Sequence, residues 1–269
     1  MSKSFFLTGC ASGMGRHLAD VFQKQGHCVC ATDVNEAGLE TTAQELGWPE
    51  DRVLCRALDV TDPEAWERVF AEAVERFGHI DVTLNIAGLL LSSWVPESPA
   101  AETNAQVDVN VKGVVFGTQV SARHMLARGA GHIINIASIA GVTPVPGLSV
   151  YAATKHAVRA FSLSAMLEMR SKGVYVTVIC PSTVQTPMLD NQDQVDAAEM
   201  FFSGLKILTV RDIERAVMRA LRKRPYEVHL PWWRVRFVQL LGLFPWLGPL
   251  ALPLYQRSGR RRQQGRRAE

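Results

Sequence analysis

Tyr151 and Lys155 stand four residues apart in a stretch whose pattern predicts a helix over 150–172, so they share one face. An ammonium beside a phenol favours the phenolate and draws the tyrosine below its usual pKa of about 10. That predicts an acid/base residue working near neutral pH. Ser138 ends the apolar run 132–138 (HIINIAS), which reads as a buried strand, and its hydroxyl can point at the same place. Tyr and Lys are common on helices, so spacing alone does not make a site. The surrounding elements have to position these groups.

The N-terminus supplies such an element. Residues 5–8 (FFLT) read as a strand, followed by Thr8-Gly9-Cys10-Ala11-Ser12-Gly13-Met14-Gly15 and a helical pattern through Leu18, Val21 and Phe22. Strand, glycine-rich turn and helix place a pyrophosphate against free helix N–H groups, with glycine letting the backbone approach. The spacing is G-x-x-x-G-x-G rather than the commoner G-x-G-x-x-G. A second strand, 28–32, ends at Asp33, placed to accept hydrogen bonds from ribose hydroxyls. The same carboxylate repels a 2′-phosphate, and no Arg or Lys lies between Lys24 and Arg52 to offset it. NAD is therefore expected over NADP.

Through these motifs the chain resembles the short-chain dehydrogenase/reductase family over roughly residues 3–228. Thr8–Gly15 matches the family's glycine motif, which implies cofactor contact by Gly9, Ser12, Gly13, Met14 and Gly15. Asp59, followed by Val60, matches the adenine-contacting position, and Asn85-Ile86-Ala87-Gly88 matches the N-A-G turn, implying Asn85, Ala87 and Gly88 at the cofactor. Asn110, Ser138, Tyr151 and Lys155 match the catalytic tetrad. Pro181-Ser182 stands where the family has Pro-Gly, and Val184 and Thr186 follow, Thr186 matching the contact to the nicotinamide amide. The resemblance implies that Tyr151 is the base, or the acid in reverse. It implies that Lys155 also binds the nicotinamide ribose, that Ser138 holds the substrate oxygen, and that Asn110 kinks its helix and links Lys155 to solvent through a water.

Length and alternation predict the frame independently. Strands are expected at 4–8, 28–32, 53–58, 82–85, 132–138, 174–180 and 227–230, and helices at 14–25, 36–46, 62–77, 103–128, 150–172 and 210–224. This predicts an α/β fold: a single-domain, Rossmann-like, doubly wound parallel sheet of about seven strands with helices on both faces. Ligands bind at the carboxyl ends of such strands, where Asp33, Asn85, Ser138 and Pro181 fall. The expected division is 1–231 for the catalytic domain and 232–269 for an extension without independent folding. Cys10, Cys28, Cys30, Cys55 and Cys180 form no C-x-x-C pair, so no metal is expected. No secretory leader is read at the N-terminus, which points to a reducing, cytoplasmic setting.

Leu89–Leu91, Ile139–Leu148 and Thr183–Phe202 are expected to border the substrate. They are apolar apart from Asp190, Asp193, Asp196 and Glu199, which favours a lipid-, steroid- or retinoid-like alcohol or ketone over phosphorylated metabolites. A sensor that binds the cofactor with little turnover is the alternative, though the complete tetrad favours an enzyme. The stretches 103–128 and 150–172 resemble the family's dimer helices, implying a homodimer or homotetramer. The run 237–256 carries no charge, is preceded by Trp232 and Trp233, and is followed by six arginines. From residue 229 on, eight basic residues face Glu269 alone, a balance of +7, whereas residues 1–228 carry −4. Pro245, Pro249 and Pro253 argue against one uninterrupted spanning helix. The expectation is peripheral membrane contact through 232–269, with packing over a subunit or the substrate cleft as the other reading and nucleic acid disfavoured.

Overall fold

Strand β1 (Ser4–Thr8) is buried at all five positions, and for that reason its sequence SFFLT shows no polar alternation. Its neighbouring side chains go to opposite faces. Phe5 stacks on Phe22 at 4.0 Å, while Phe6 packs on Trp66 at 5.5 Å. Each ring seeds one of the two apolar layers that sandwich the sheet. The computed structural model describes residues 2–204, 207–242 and 248–268.

The other strands are β2 (Cys28–Asp33), β3 (Val53–Ala57), β4 (Val82–Asn85), β5 (Gly131–Ile136), β6 (Val174–Pro181) and β7 (Glu227–Leu230). All pair in parallel, in the order β3-β2-β1-β4-β5-β6-β7. The order reverses between β1 and β4, which opens a crevice at their carboxyl ends. Helices α1 (Gly13–Lys24), α2 (Glu36–Leu46) and α3 (Pro63–Phe77) connect the first strands. Helix α3 starts where a sequence reader would place it: Asp62 accepts from the Glu64 and Ala65 amides, and Pro63 opens the first turn.

The stretch expected as one helix over 103–128 is composite. Helix α4 (Ala100–Val107) runs into a π-turn at Asp108–Lys112 and then α5 (Gly113–Arg128). The extra residue in that turn swings Asn110 to the interior, where it is fully buried. Helix α6 (Ser149–Met169) carries Tyr151 and Lys155. Strand β5 stops at Ile136, so Ser138 lies past its end rather than in it, capping a 3-10 turn through its bond from the Ala140 amide.

After β6 the chain forms the short α7 (Pro187–Asp190), a 3-10 segment (Asp196–Ser203) and α8 (Val210–Lys223). Beyond β7 lie α9 (Trp232–Gly242) and α10 (Gly248–Ala268). Pro249 sits in the first turn of α10, while Pro253 is inside the helix and exposed. Residues 243–247, including Pro245, fall outside the described residues. Among the described residues, no helix is long and apolar enough to cross a membrane.

Gly117 shows how closely α5 sits on the sheet. A Cβ there would lie 2.3 Å from Asn85 Oδ1 and 2.6 Å from the Trp66 ring. Gly117→Ala is expected to destabilise the protein by about 1–3 kcal/mol through overpacking. The readout is a lower urea midpoint at unchanged slope. An unchanged midpoint would show that the helix can retreat without loss.

Candidate active site

The glycine turn and the β4 turn are clipped together across the crevice. Thr8 Oγ1 accepts from both the Ile86 and Ala87 amides at 3.0 Å. Gly9 (φ +73°) lies so near that a Cβ would meet the Ala87 backbone at 3.1 Å. At Gly13 (φ +55°) a Cβ would meet Thr186 at 3.3 Å, and at Gly15 it would strike the Gly9 carbonyl at 2.0 Å. Helix α1 begins behind Ser12, whose side chain makes no capping bond, and its first turn holds no acid. Its leading amides are thus free of side-chain competition for an anion.

At the end of β2, Asp33 accepts from the Ala11 and Asn35 amides, each at 2.9 Å. The Leu58 amide donates to the Asp33 carbonyl, which brings Asp59 and Val60 beside it. Asp59 is exposed and holds the Thr61 amide and hydroxyl, while Val60 is buried with its carbonyl bonded to the Trp66 indole. The turn, the open helix end and the carboxylate form a cradle that fits a dinucleotide.

Asn85 differs from the rest of its motif. Its side chain faces the layer under α5, donating to Asn135 Oδ1 at 2.8 Å, so only the turn it starts borders the crevice. Ala87 and Gly88 follow on the crevice side. A Cβ on Gly88 would lie 3.3 Å from Asn110 Oδ1 and 3.5 Å from Lys155 Nζ. Pro181 ends β6, and Ser182, standing in the family's glycine position, accepts from Arg234 of α9 at 2.8 Å. Val184 bridges to Leu208, and Thr186 precedes α7 with its methyl against Gly13.

Tyr151, Ser138, Lys155 and Asn110 converge. Asn110 accepts from the Leu89 amide at 2.7 Å and donates to the Leu89 carbonyl and Thr154 hydroxyl at 2.8 and 3.1 Å. Lys155 Nζ donates to the Ile136 carbonyl at 3.1 Å and lies 5.6 Å from the centre of the Tyr151 ring. Gly141 permits this packing, since a Cβ there would strike the Lys155 carbonyl at 2.5 Å.

The electrostatics depart from the expectation of a depressed tyrosine. Burial pushes the Tyr151 phenol up to about 12, opposed in part by its hydrogen bond with Ser138. Burial likewise draws Lys155 down to about 8. Desolvation dominates because both groups are almost wholly enclosed, Tyr151 at 6% and Lys155 at 4% exposure. At neutral pH the phenol therefore keeps its proton.

The apolar surroundings of Tyr151 are Leu90, Ala140, Leu148 and Ala152, with Val145, Met188 and Phe201 packed against them. An apolar groove of about 620 Å³ runs beside them along Trp94, Val145, Ala152 and His156, without reaching Tyr151 or Ser138. Two glutamines that no motif marked fasten the substrate-side loop. Gln106 accepts from the Leu91 amide at 3.2 Å, and Gln192 accepts from the Ser92 hydroxyl at 2.6 Å. Among the described residues, Cys180, Glu227 and His229 form a cluster with metal-ligand chemistry. Arg159 already holds both Glu227 oxygens there, at 2.5 and 3.0 Å.

Residues 3–197 match the family described as short chain dehydrogenase. A diacetyl reductase, (S)-acetoin forming, of Staphylococcus epidermidis is 33% identical over 219 residues, covering 77% of this chain and 85% of that relative. Among solved structures, a short chain dehydrogenase/reductase from Burkholderia phymatum in complex with NAD superposes with a TM-score of 0.80 at 27% identity, covering 87% of this chain and 92% of that one. ElxO with NADP bound gives 0.77 at 26% identity, covering 85% and 97%. The chain belongs to the short-chain dehydrogenase family and is an oxidoreductase of that type. Its fold is one that binds NAD or NADP.

The buried lysine sets a stability window. Folding lowers its pKa from about 10.4 to about 8, so between those values the unfolded chain holds a proton that the folded chain has lost. Stability from this group is complete above the upper value and declines as pH falls through the lower one. Lys155→Met is expected to abolish that rise in urea midpoint between pH 8 and 10. A rise of equal size in the variant would place the cause elsewhere.

Proposed function

We propose that this enzyme transfers a hydride between NAD and an apolar secondary alcohol or its ketone, with Tyr151 moving the proton. The observation that carries the reading is the buried Tyr151 set among Leu90, Ala140, Leu148, Met188 and Phe201. Such a wall excludes water and accepts hydrocarbon. The bound nicotinamide supplies the hydride donor or acceptor.

In reduction, the Tyr151 hydroxyl gives its proton to the carbonyl oxygen as the carbonyl carbon gains hydride, which leaves tyrosinate. Ser138 orients that oxygen and stabilises its developing charge. Lys155 stabilises the tyrosinate, and the proton is restored from solvent through Lys155 and a water at Asn110. Oxidation runs these steps backward and needs the phenolate, so it is expected to accelerate with pH. Asp33 supports NAD over NADP, because a 2′-phosphate would meet its carboxylate.

Homodimer assembly through α5 and α6 fits the expected family arrangement, and Leu167 on α6 is 75% exposed. Peripheral membrane contact is the second reading for the C-terminal segment. Trp232 and Leu254 are about 70% exposed, and Trp233 is half exposed. Co-sedimentation with anionic vesicles at low salt tests it, and a protein left in the supernatant sinks it.

Tyr151→Phe is expected to reduce turnover by at least about 100-fold, the contribution of a positioned acid, while NADH binding by fluorescence stays intact. A variant with near-normal kcat would remove Tyr151 from its role. Wild type that binds NADH but turns over no alcohol or ketone would support the sensor reading. For the cofactor, wild-type kcat/KM should favour NAD, and Asp33→Ala should narrow the difference. Equal use of NADP by wild type overturns the assignment of Asp33.

A further inference from the structure

We propose that α10 is a clasp holding the segment 187–203 over the substrate, with Gln263 and Arg266 as positioning residues that set the affinity for bulky apolar substrates. Gln263 is 3% exposed, and its amide nitrogen donates to the Gln192 and Val195 carbonyls at 3.0 and 2.7 Å. These are buried bonds to backbone, so they fix the path of the segment rather than one side chain. Gly259 brings the helix backbone onto the same segment, since a Cβ there would strike the Glu199 carbonyl at 2.0 Å.

Charge pairing follows the same seam. Arg266 reaches Asp190 at 2.6 Å and Asp193 at 2.8 Å, Arg267 reaches Asp196 at 2.8 Å, and Arg260 reaches Glu199 at 3.0 Å. The acidic residues in the expected substrate border and three of the distal arginines are thus one interface within the chain.

The contact is transmitted to the chemistry. Gln192, held through its carbonyl by Gln263, bonds through its side chain to Ser92 and to the Leu90 carbonyl. Leu90 packs in the cluster around Tyr151, as do Met188 and Phe201 of the clasped segment. Thr183 ties the Phe201 carbonyl back to the end of β6 at 2.7 Å. Loss of the clasp frees the outer wall of the pocket while Ser138 keeps its 3-10 turn and Tyr151 and Lys155 keep their supports on α6.

The proposal rests on the reading of an apolar substrate, and the test separates the two. Full-length Gln263→Ala and Arg266→Glu are compared with wild type by hydrogen exchange and by kinetics on secondary alcohols of increasing chain length. Exchange in 188–203 is expected to accelerate roughly tenfold, while β5 and β6 stay protected. KM for long alcohols is expected to rise roughly tenfold with kcat within about twofold, and short soluble alcohols should be unaffected. Adding Asp193→Arg to Arg266→Glu should restore both readouts. Unchanged exchange in 188–203 overturns the clasp whatever the substrate. Faster exchange with no turnover of any alcohol by wild type upholds the clasp and sinks the substrate reading. An equal KM change for short and long alcohols shows a clasp without a role in selectivity, and overturns that half of the proposal.

Discussion

Asn110 holds three elements in register from a fully buried position. Its amide group bonds both backbone groups of Leu89 and the hydroxyl of Thr154. The loop after β4, the π-turn and α6 therefore share one fixed point. Lys155 is the next residue along α6, and its ammonium packs against Gly88, one residue before Leu89. A buried amide with its hydrogen bonds made is rigid, because releasing any of them strands a polar group away from water. The positions of Lys155, the Gly88 turn and the start of the substrate loop all follow from that point. On the other side of the crevice, Thr8 does the same for the glycine turn by holding the Ile86 and Ala87 amides.

Rigidity and dryness together decide the chemistry. A tyrosine beside a lysine in water would be drawn toward ionisation. Enclosed among Leu90, Leu148 and Ala152, the phenol is driven the other way, and Lys155 loses part of its hold on its own proton. The phenol is thus held in its protonated form, the state that the proposed reduction requires. Ser138 is the group that offsets this, since its hydrogen bond favours the phenolate. It sits on a 3-10 turn pressed onto α6 at Gly141, so its aim depends on a close backbone approach and not on a strand.

What was legible in the sequence was local. The glycine turn, Tyr151 and Lys155 declare themselves through fixed spacings on a strand–turn–helix and a helix face. The seven strands were visible as apolar runs because both faces of a parallel sheet are covered. Ser138 showed only as the end of an apolar run and took its role from the family resemblance, as did Asn110, since an asparagine in a helix carries no spacing signal. The direction of the tyrosine shift was not legible, because burial comes from Leu90 and Leu148, with Met188 and Phe201 packed against them, an enclosure set by tertiary packing. Asn85 belongs to the motif, yet its side chain faces Asn135, a pairing set by the register of β4 against β5. Gln192 and Gln263 are neutral residues with no periodicity, so their role emerges only when the carbonyls they satisfy are seen.

The basic tail and the acidic lid were each visible in the sequence, but their complementarity spans 76 residues between Asp190 and Arg266. Asp190, Asp193, Asp196 and Glu199 on one short segment would repel one another and favour an open loop. The arginines of α10 reverse that tendency. Each pair alone is weak, because one partner in most of them is well exposed and salt screens it. Specific geometry therefore comes from Gln263 and Gly259, which are buried and touch backbone, and from Arg266, whose pair with Asp193 is the least exposed of the four. Helix α9 lies against both flanks of the same segment, through the bond from Arg234 to Ser182 before it and the approach of that guanidinium to Gly204 after it. Serine in the family's glycine position gives that arginine its acceptor, so the departure at Pro181-Ser182 and the unusual C-terminus meet in one arrangement around 187–203.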